Sequence, residues 1–386
     1  MENSNSTPLR HRVAVFSYFC STGIIFASWA SRIPTIKQNL GISEGELGMM
    51  LLMMPLGQLF TLPLSGKLVT KYGSSKILSI LCLVYVFLLF SISLATSKYQ
   101  LGAILLLFGI SSNLCNISVN TQAIGVEKLY KGKSIMTTFH GGWSLAGFTG
   151  ALIGLITLQF SIPTFAHFLI ITSLIILNTL INKKHLIPVD SKAEDVENAQ
   201  TKFKPDSLLI QLGIVGFFSM ATEGAMFDWS GVYFQEIVQA PTKFVILGYT
   251  AFMIMMATGR FVGDYAITKL GTRKVLIISG LLMSFGMIVA VLLPLITAAT
   301  VGFMMVGIGV ACCVPTVYSL AGNHPTIPAG MALAIVTSIS FLGFLLGPPI
   351  IGFIAEILSL QWSFALFSLF GICMIIIVMN ASIFRR

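Results

Sequence analysis

Two acids stand inside an otherwise apolar stretch of the chain, Glu223 and, five residues later, Asp228. An ionised side chain at the centre of a membrane helix costs about 2.5–3.5 kcal/mol on insertion scales, so an acid kept at such a place faces a polar cavity or a partner. Glu223 lies near the middle of its stretch, between Thr222 and Gly224, and is the first candidate for loading and releasing a proton. Five residues turn a helix by about 140° and advance it by about 7.5 Å, so both acids cannot point squarely into one cavity. Asp228, beside Trp229, is the second proton-coupling candidate, with an outer-side ion pair to Arg32 as its alternative role. Asn113, Asn116 and Asn120 fall at i, i+3 and i+7, a single stripe on an apolar helix. Amides in that pattern hydrogen-bond the hydroxyls and carbonyls of a polar solute, or else tie one helix to another. His140, followed by Gly141, Gly142 and Trp143, opens a further apolar run, where it relays protons, touches solute or is simply solvated. Tyr18, Trp29 and Tyr318 are candidate aromatic walls for a solute, with core or lipid-facing positions as the alternative.

The elements that must hold these residues follow from composition. Of 386 residues 55% are hydrophobic and only 10% charged, against about 25% charged in soluble domains. Apolar runs long enough to cross a hydrocarbon core about 30 Å thick cover 13–32, 46–70, 75–96, 99–126, 134–158, 161–182, 207–236, 243–268, 273–293, 296–321, 328–357 and 361–382. The sequence therefore predicts an all-α integral membrane protein of twelve spanning helices. Pro315 in the tenth run, and Gly343, Gly347, Pro348 and Pro349 in the eleventh, are expected to disturb regular helix. The first twelve residues, MENSNSTPLRHR, are polar and no small-residue cleavage site follows the first apolar run, so that run is expected to stay as a helix.

One long polar interruption, from Asn182 to Asp206, divides the chain into a six-helix bundle at 1–182, a cytoplasmic linker at 183–206 and a second six-helix bundle at 207–386. With both termini cytoplasmic, 18 of the 23 Lys and Arg residues fall on the cytoplasmic side. Four (Arg32, Lys37, Lys98 and Lys243) fall opposite, and Arg260 lies within the eighth run. This is the positive-inside bias of a membrane protein. It accounts for the net charge of +9 without nucleic acid, because the basic residues are scattered among short gaps rather than gathered on one patch.

The six cysteines all lie in apolar runs without CxxC or Cys/His spacing, which points to packing and to no metal site. No Walker A, HExxH or GxSxG sequence is present, so neither an enzyme nor a cofactor is expected and ATP is not the driving force. The halves echo each other: Trp29 and Trp229 are 200 residues apart, Gly48 and Gly248 also 200, Gly66 and Gly263 197, and Gly109 and Gly307 198. A nearly constant offset across four helices indicates a duplicated unit in parallel orientation.

Gly66-Lys-Leu-Val-Thr-Lys-Tyr-Gly73 followed by Lys76, with Gly259-Arg260-Phe-Val-Gly263-Asp264 followed by Gly271-Thr-Arg273-Lys274, resembles the loop motif of the major facilitator superfamily. The first copy departs from it, since Thr70 occupies the place of the usual acid. The resemblance implies two bundles around a central cavity lined by the first, fourth, seventh and tenth helices, a monomer, and a gate on the cytoplasmic side formed here by Arg260 and Asp264. It places the Asn113, Asn116 and Asn120 stripe and Tyr18, Trp29 and Tyr318 on cavity-lining helices, which makes them, with His140, candidate substrate contacts. SRIPTIKQNLGISEGELG and EGAMFDW are similar to the bacterial YbjJ-like inner-membrane subgroup, near the fucose-permease-type symporters.

The function expected from the sequence is secondary active transport by alternating access, with proton-coupled uptake of a small polar or carboxylated metabolite across the inner membrane. The bilayer, a small-molecule substrate and protons are the expected partners. The alternatives are an exporter of an apolar or cationic compound, which 18 Met and 29 Phe residues also suit, and a membrane sensor that binds ligand without moving it.

Overall fold

Apolar runs of this length become helices in a bilayer because hydrocarbon offers the backbone no hydrogen bonds, and a helix satisfies its own. The computed structural model describes residues 6–130, 136–187, 206–322, 324, 327 and 329–381. The side chains of residues 6, 7, 62, 63, 66, 67, 70, 128, 136, 137, 264, 322, 329–331, 333 and 334 lie outside that set, as does the expected linker over 188–205. Fourteen α-helices are present among the described residues. In the first half they are α1 (Ser6–Ala30), α2 (Ile33–Leu40), α3 (Glu44–Tyr72), α4 (Ser74–Ile92), α5 (Lys98–Glu127), α6 (Met136–Gln159) and α7 (Thr164–Asn182). In the second they are α8 (Ser207–Glu236), α9 (Leu247–Leu270), α10 (Thr272–Leu292), α11 (Ile296–Ala311), α12 (Cys313–Gly322), α13 (Ala329–Ile357) and α14 (Leu360–Asn380).

Eleven membrane-spanning stretches emerge among the described residues by length and hydropathy, and each coincides with one of the twelve expected runs. The remaining run, 46–70, is α3, whose 29 residues advance about 43 Å, more than a hydrocarbon core requires. The tenth crossing is broken: α11 ends at Ala311 and α12 begins at Cys313. Pro315 explains the break, because its ring collides with the carbonyl four residues earlier, that of Ala311, and it has no N–H to donate there. The eleventh differs from expectation in staying one continuous helix through Pro348 and Pro349.

The chain packs into two compact units, Met1–Gly41 with Met53–Asp195, and Ile42–Leu52 with Val196–Arg386. In the first unit α1 packs on α6, α4 on α5 and α4 on α7; in the second α8 packs on α13, α10 on α11 and α10 on α14. The pairings repeat because the sequence repeats. Gly109 shows the mechanism, since a Cβ there would overlap the Met54 carbonyl of α3, and its repeat mate Gly307 lies in the same way against the Phe252 carbonyl of α9. Absence of a side chain lets the paired backbones touch. The two loop motifs also fold alike: α3 passes into α4 through Gly73 at φ +82°, and α9 into α10 through Gly271 at φ +80°, a backbone conformation that favours glycine because it has no Cβ.

The start of α3 belongs to the second unit for a local reason. Glu356, at the end of α13, accepts hydrogen bonds from the Ser43 hydroxyl at 2.8 Å and from the Gly45 backbone N–H. Ser43 and Glu46 add a reciprocal capping box, Ser43 N to Glu46 Oε2 at 3.1 Å and Glu46 N to Ser43 Oγ at 3.3 Å. Gly48 and Gly352 meet so closely that a Cβ on Gly352 would come within 2.9 Å of the Gly48 Cα.

Candidate functional site

Glu223 on α8 and Arg260 on α9 form an ion pair, Nη2 to Oε1 at 3.0 Å, with the side chains 13% and 32% accessible respectively. Helical periodicity puts Arg260 within about 40° of Tyr249, Met253 and Met256 around α9, and all three are buried. Ile254, Phe261, Val262 and Tyr265 occupy the other side of the helix and are exposed, as side chains facing lipid are. The guanidinium is therefore on the protein side of α9. Tyr318 and Cys313 of α12 lie within electrostatic range of Glu223, and the Tyr318 hydroxyl reaches Thr337 and Ser340 of α13. Thr222 returns its hydroxyl to the Phe218 carbonyl at 2.9 Å, and Gly224 lies alongside the Phe344 ring. The structure thus joins a proton-coupling candidate to a gate candidate in one pair. The side chain of Asp264, the other gate candidate, lies outside the described residues.

Asp228, about a turn and a half further along α8, is 8% exposed and within electrostatic range of Tyr249 near the start of α9. Neighbouring Phe227 packs edge-on against Phe252 and Phe344 at 5.7 and 6.4 Å between ring centroids. The Trp229 indole N–H and the Ser230 and Tyr249 hydroxyls are buried without hydrogen-bond partners among the described residues. Buried polar groups are ordinarily satisfied, so such a concentration marks a region that is polar but not internally paired.

The stripe on α5 divides. Asn113 donates to Thr61 Oγ1 at 2.9 Å and to the Gln58 carbonyl at 3.3 Å, which ties α5 to α3. Asn120 donates to the backbone and side-chain oxygens of Asn116 at 2.8 and 3.2 Å, and Asn116 is exposed. His140 is exposed and stands edge-on to Phe19 at 5.4 Å. Tyr18 is buried between α1, α4 and α7, its hydroxyl 3.5 Å from Ser79 Oγ and from the Thr179 carbonyl. Trp29 is buried, and its indole N–H, like that of its repeat mate Trp229, has no partner among the described residues.

Sequence reasoning offered Arg32 as an ion-pair partner for Asp228; the structure instead engages it in a polar centre of the first unit, with His167 and the Ile162 carbonyl. Arg32, 2% exposed between α1 and α2, donates Nε to His167 Nδ1 of α7 at 3.1 Å and Nη2 to the Ile162 carbonyl at 2.8 Å. Burial lowers the Arg32 guanidinium to about 10, which leaves it cationic at neutral pH. Accepting from Arg32 at Nδ1 fixes the proton of neutral His167 on Nε2. The available signal was a lone His in the sixth run, which marks a polar position but names no partner. Among the described residues no group of three or more His, Cys, Asp or Glu gathers as metal ligands.

The family model described as Major Facilitator Superfamily matches residues 14–329 and 243–385. An uncharacterised MFS-type transporter of Yersinia pestis is 32% identical over 352 residues, covering 90% of this chain and 89% of the relative. Among solved structures, the nucleoside transporter NupG superposes with a TM-score of 0.75 at 15% identity, over 98% of this chain and 99% of that one. A D-xylose-proton symporter superposes with a TM-score of 0.71 at 13% identity, over 96% and 98%. At such identities the two solved structures establish likeness of fold.

Proposed function

The chain belongs to the major facilitator superfamily of membrane transporters, and from that premise we propose that it takes up a small polar or carboxylated metabolite together with protons. The observation that carries this reading is the Glu223–Arg260 pair inside a membrane segment. An acid held by a cation within the bilayer has two states, ionised and paired or protonated and released, and a solute that favours one of them is thereby coupled to the proton gradient. The D-xylose-proton symporter is one transporter of the same fold that works with protons. In this proposal the bundles at 1–182 and 207–386, joined by the linker at 183–206, rock about the solute as a monomer in the inner membrane. Both termini are cytoplasmic, in keeping with the distribution of Lys and Arg. Asn116, Asn120, His140 and Tyr318 are the proposed solute contacts, and Arg260 with Asp264 is the proposed gate.

Asp228 favours a second reading, export of a lipophilic cation, because it is a buried acid near Tyr249, next in the chain to Phe227, whose ring packs on Phe252 and Phe344. Thermal stabilisation of the purified protein at two pH values by sugars, sugar acids, amino acids, nucleobases and lipophilic cations separates the two. A ligand at a hundred times its Kd stabilises by about 2.7 kcal/mol. Stabilisation by a polar metabolite that changes with pH is the expected result. Stabilisation by lipophilic cations alone overturns it in favour of export, and ligand binding without flux in vesicles overturns transport itself.

A further inference from the structure

We propose that the first unit binds a small monovalent inorganic anion, chloride or an ion of its size, on the Arg32 guanidinium beside the start of α7. The site involves neither Glu223 nor Arg260 and is independent of the proton-coupled reading.

Unmet donors are the first reason. A guanidinium carries five N–H donors and no acceptor. Arg32 spends one at Nε on His167 Nδ1, at 3.1 Å, and one at Nη2 on the Ile162 carbonyl, at 2.8 Å, which leaves three without a partner among the described residues. Ile162 and His167 bracket Thr164, the first residue of α7. The Thr164 hydroxyl is buried and unpartnered among the described residues, as is His167 Nε2. Neutral His167, accepting at Nδ1, is a donor at Nε2. The helix adds donors of its own, because Pro163 stands at the N-cap of α7 and supplies no side-chain cap, so the first backbone N–H groups keep their partial positive charge. Donors in excess of acceptors around a fixed cation are the composition of an anion site.

Charge is the second reason. Arg32 is 2% exposed, and a buried ion without a counterion is strongly disfavoured. Burial alone lowers the guanidinium, with no acid acting on it; the titratable group within its range is His167. Among the described residues of the first unit the one acid is Glu127, the last residue of α5. Gln122 of the same helix bonds the Ile187 backbone in both directions, at 2.6 and 2.8 Å. Ile187 lies beyond the far end of α7, whose 19 residues advance about 28 Å from Thr164. Glu127 is therefore at the end of the unit opposite Arg32, and the charge is left for an ion from the medium to balance.

Size and valence follow from the surroundings. Trp29 and Ile33, on α1 and α2 to either side of Arg32, and Phe168, beside His167, are each at most 1% exposed, which gives an organic acid no place for its carbon chain. A doubly charged sulfate or phosphate would replace one uncompensated charge by another of opposite sign, whereas one monovalent ion leaves the corner neutral.

The test uses the full chain, purified in detergent and exchanged into potassium gluconate, with chloride, bromide, nitrate, acetate and sulfate as probes at constant ionic strength. Chloride, bromide and nitrate should raise Tm along a saturating curve, by about 5 °C at a hundred times Kd. Thr164→Val, which removes a hydroxyl but no charge, should fold like wild type and weaken chloride several-fold. Arg32→Gln should lose the response, and Arg32→Lys, which keeps the charge without the fork, should retain a weaker one. If Arg32→Gln does not fold, Thr164→Val and the anomalous signal of crystals grown in bromide decide the matter, with a peak expected within hydrogen-bonding reach of the Arg32 guanidinium. A Tm that follows ionic strength whatever the anion shows screening alone and overturns the site. An undiminished chloride response in Arg32→Gln, or in Thr164→Val with the bromide peak elsewhere, overturns its location. Stabilisation by acetate or sulfate in preference to chloride overturns the class of anion.

Discussion

Replacing both members of the Glu223–Arg260 pair, singly and together, measures how firmly the site is held. Two unit charges 3.0 Å apart attract by roughly 5.5 kcal/mol at an effective dielectric of about 20. The Arg260 side chain is 32% accessible, so solvent and the entropy of a long side chain reduce that figure to about 1–3 kcal/mol. The variants are Glu223→Gln, Arg260→Gln and the double substitution, compared by the Tm of the purified proteins. For a unit of this size about 1 kcal/mol moves Tm by roughly 2–4 °C. Arg260→Gln should be the more damaging single change, because it leaves an acid in the membrane without its cation, and the double variant should recover part of the loss. The coupling energy from the cycle should lie within about 1–3 kcal/mol and change little with salt, since the pair is partly buried. Single effects that add to within about 0.5 kcal/mol would show that the two charges are not held together, and the ion-pair basis of the proposed coupling would fall with them.

Further expectations concern the frame around the site. Arg32→Met leaves the Ile162 carbonyl and His167 Nδ1 without their donor and should cost about 2–4 kcal/mol; Arg32→Lys should restore little, since one ammonium cannot serve both directions, and a full recovery of Tm by Lys would disprove the fork. Gly109→Ala and Gly307→Ala set a Cβ against the Met54 and Phe252 carbonyls. The overlap is with rigid backbone, so about 1–3 kcal/mol of overpacking outweighs the roughly 1 kcal/mol that Ala gains in helix propensity, and both Tm values should fall. Glu356→Ala removes the acceptor for Ser43 and Gly45 at the start of α3 and should lower stability by about 1–2 kcal/mol, with Glu356→Gln intermediate; an unchanged Tm in Glu356→Ala would show that this cap contributes nothing.

Hydropathy alone was enough for the helices, because a bilayer leaves an apolar run of twenty residues no other way to satisfy its backbone. The repeat was legible too: of the glycines spaced about 198 residues apart, Gly109 and Gly307 are places where neighbouring backbones touch, and such contacts tolerate no side chain. The break in the tenth crossing follows from Pro315 by a local rule, the clash with Ala311 four residues back. Pro348 and Pro349 bend that rule, since α13 runs through both as one continuous helix.

The site was legible only as a set of suspects. Glu223 and Arg260 each stood out as a charge in an apolar run, and periodicity along α9 identifies the face of Arg260. Which helix lies opposite that face depends on how whole helices pack, and no spacing within one helix contains it. The same holds for Asn113, whose amide is engaged by Thr61 and Gln58, and for Arg32, which binds His167 from 135 residues away. By itself the sequence determined the solvent of this protein, its helices and its duplicated plan, because those follow from the chemistry of each segment alone. Only tertiary structure decided the partners of its few polar side chains, because partnership is a property of two segments brought together by packing.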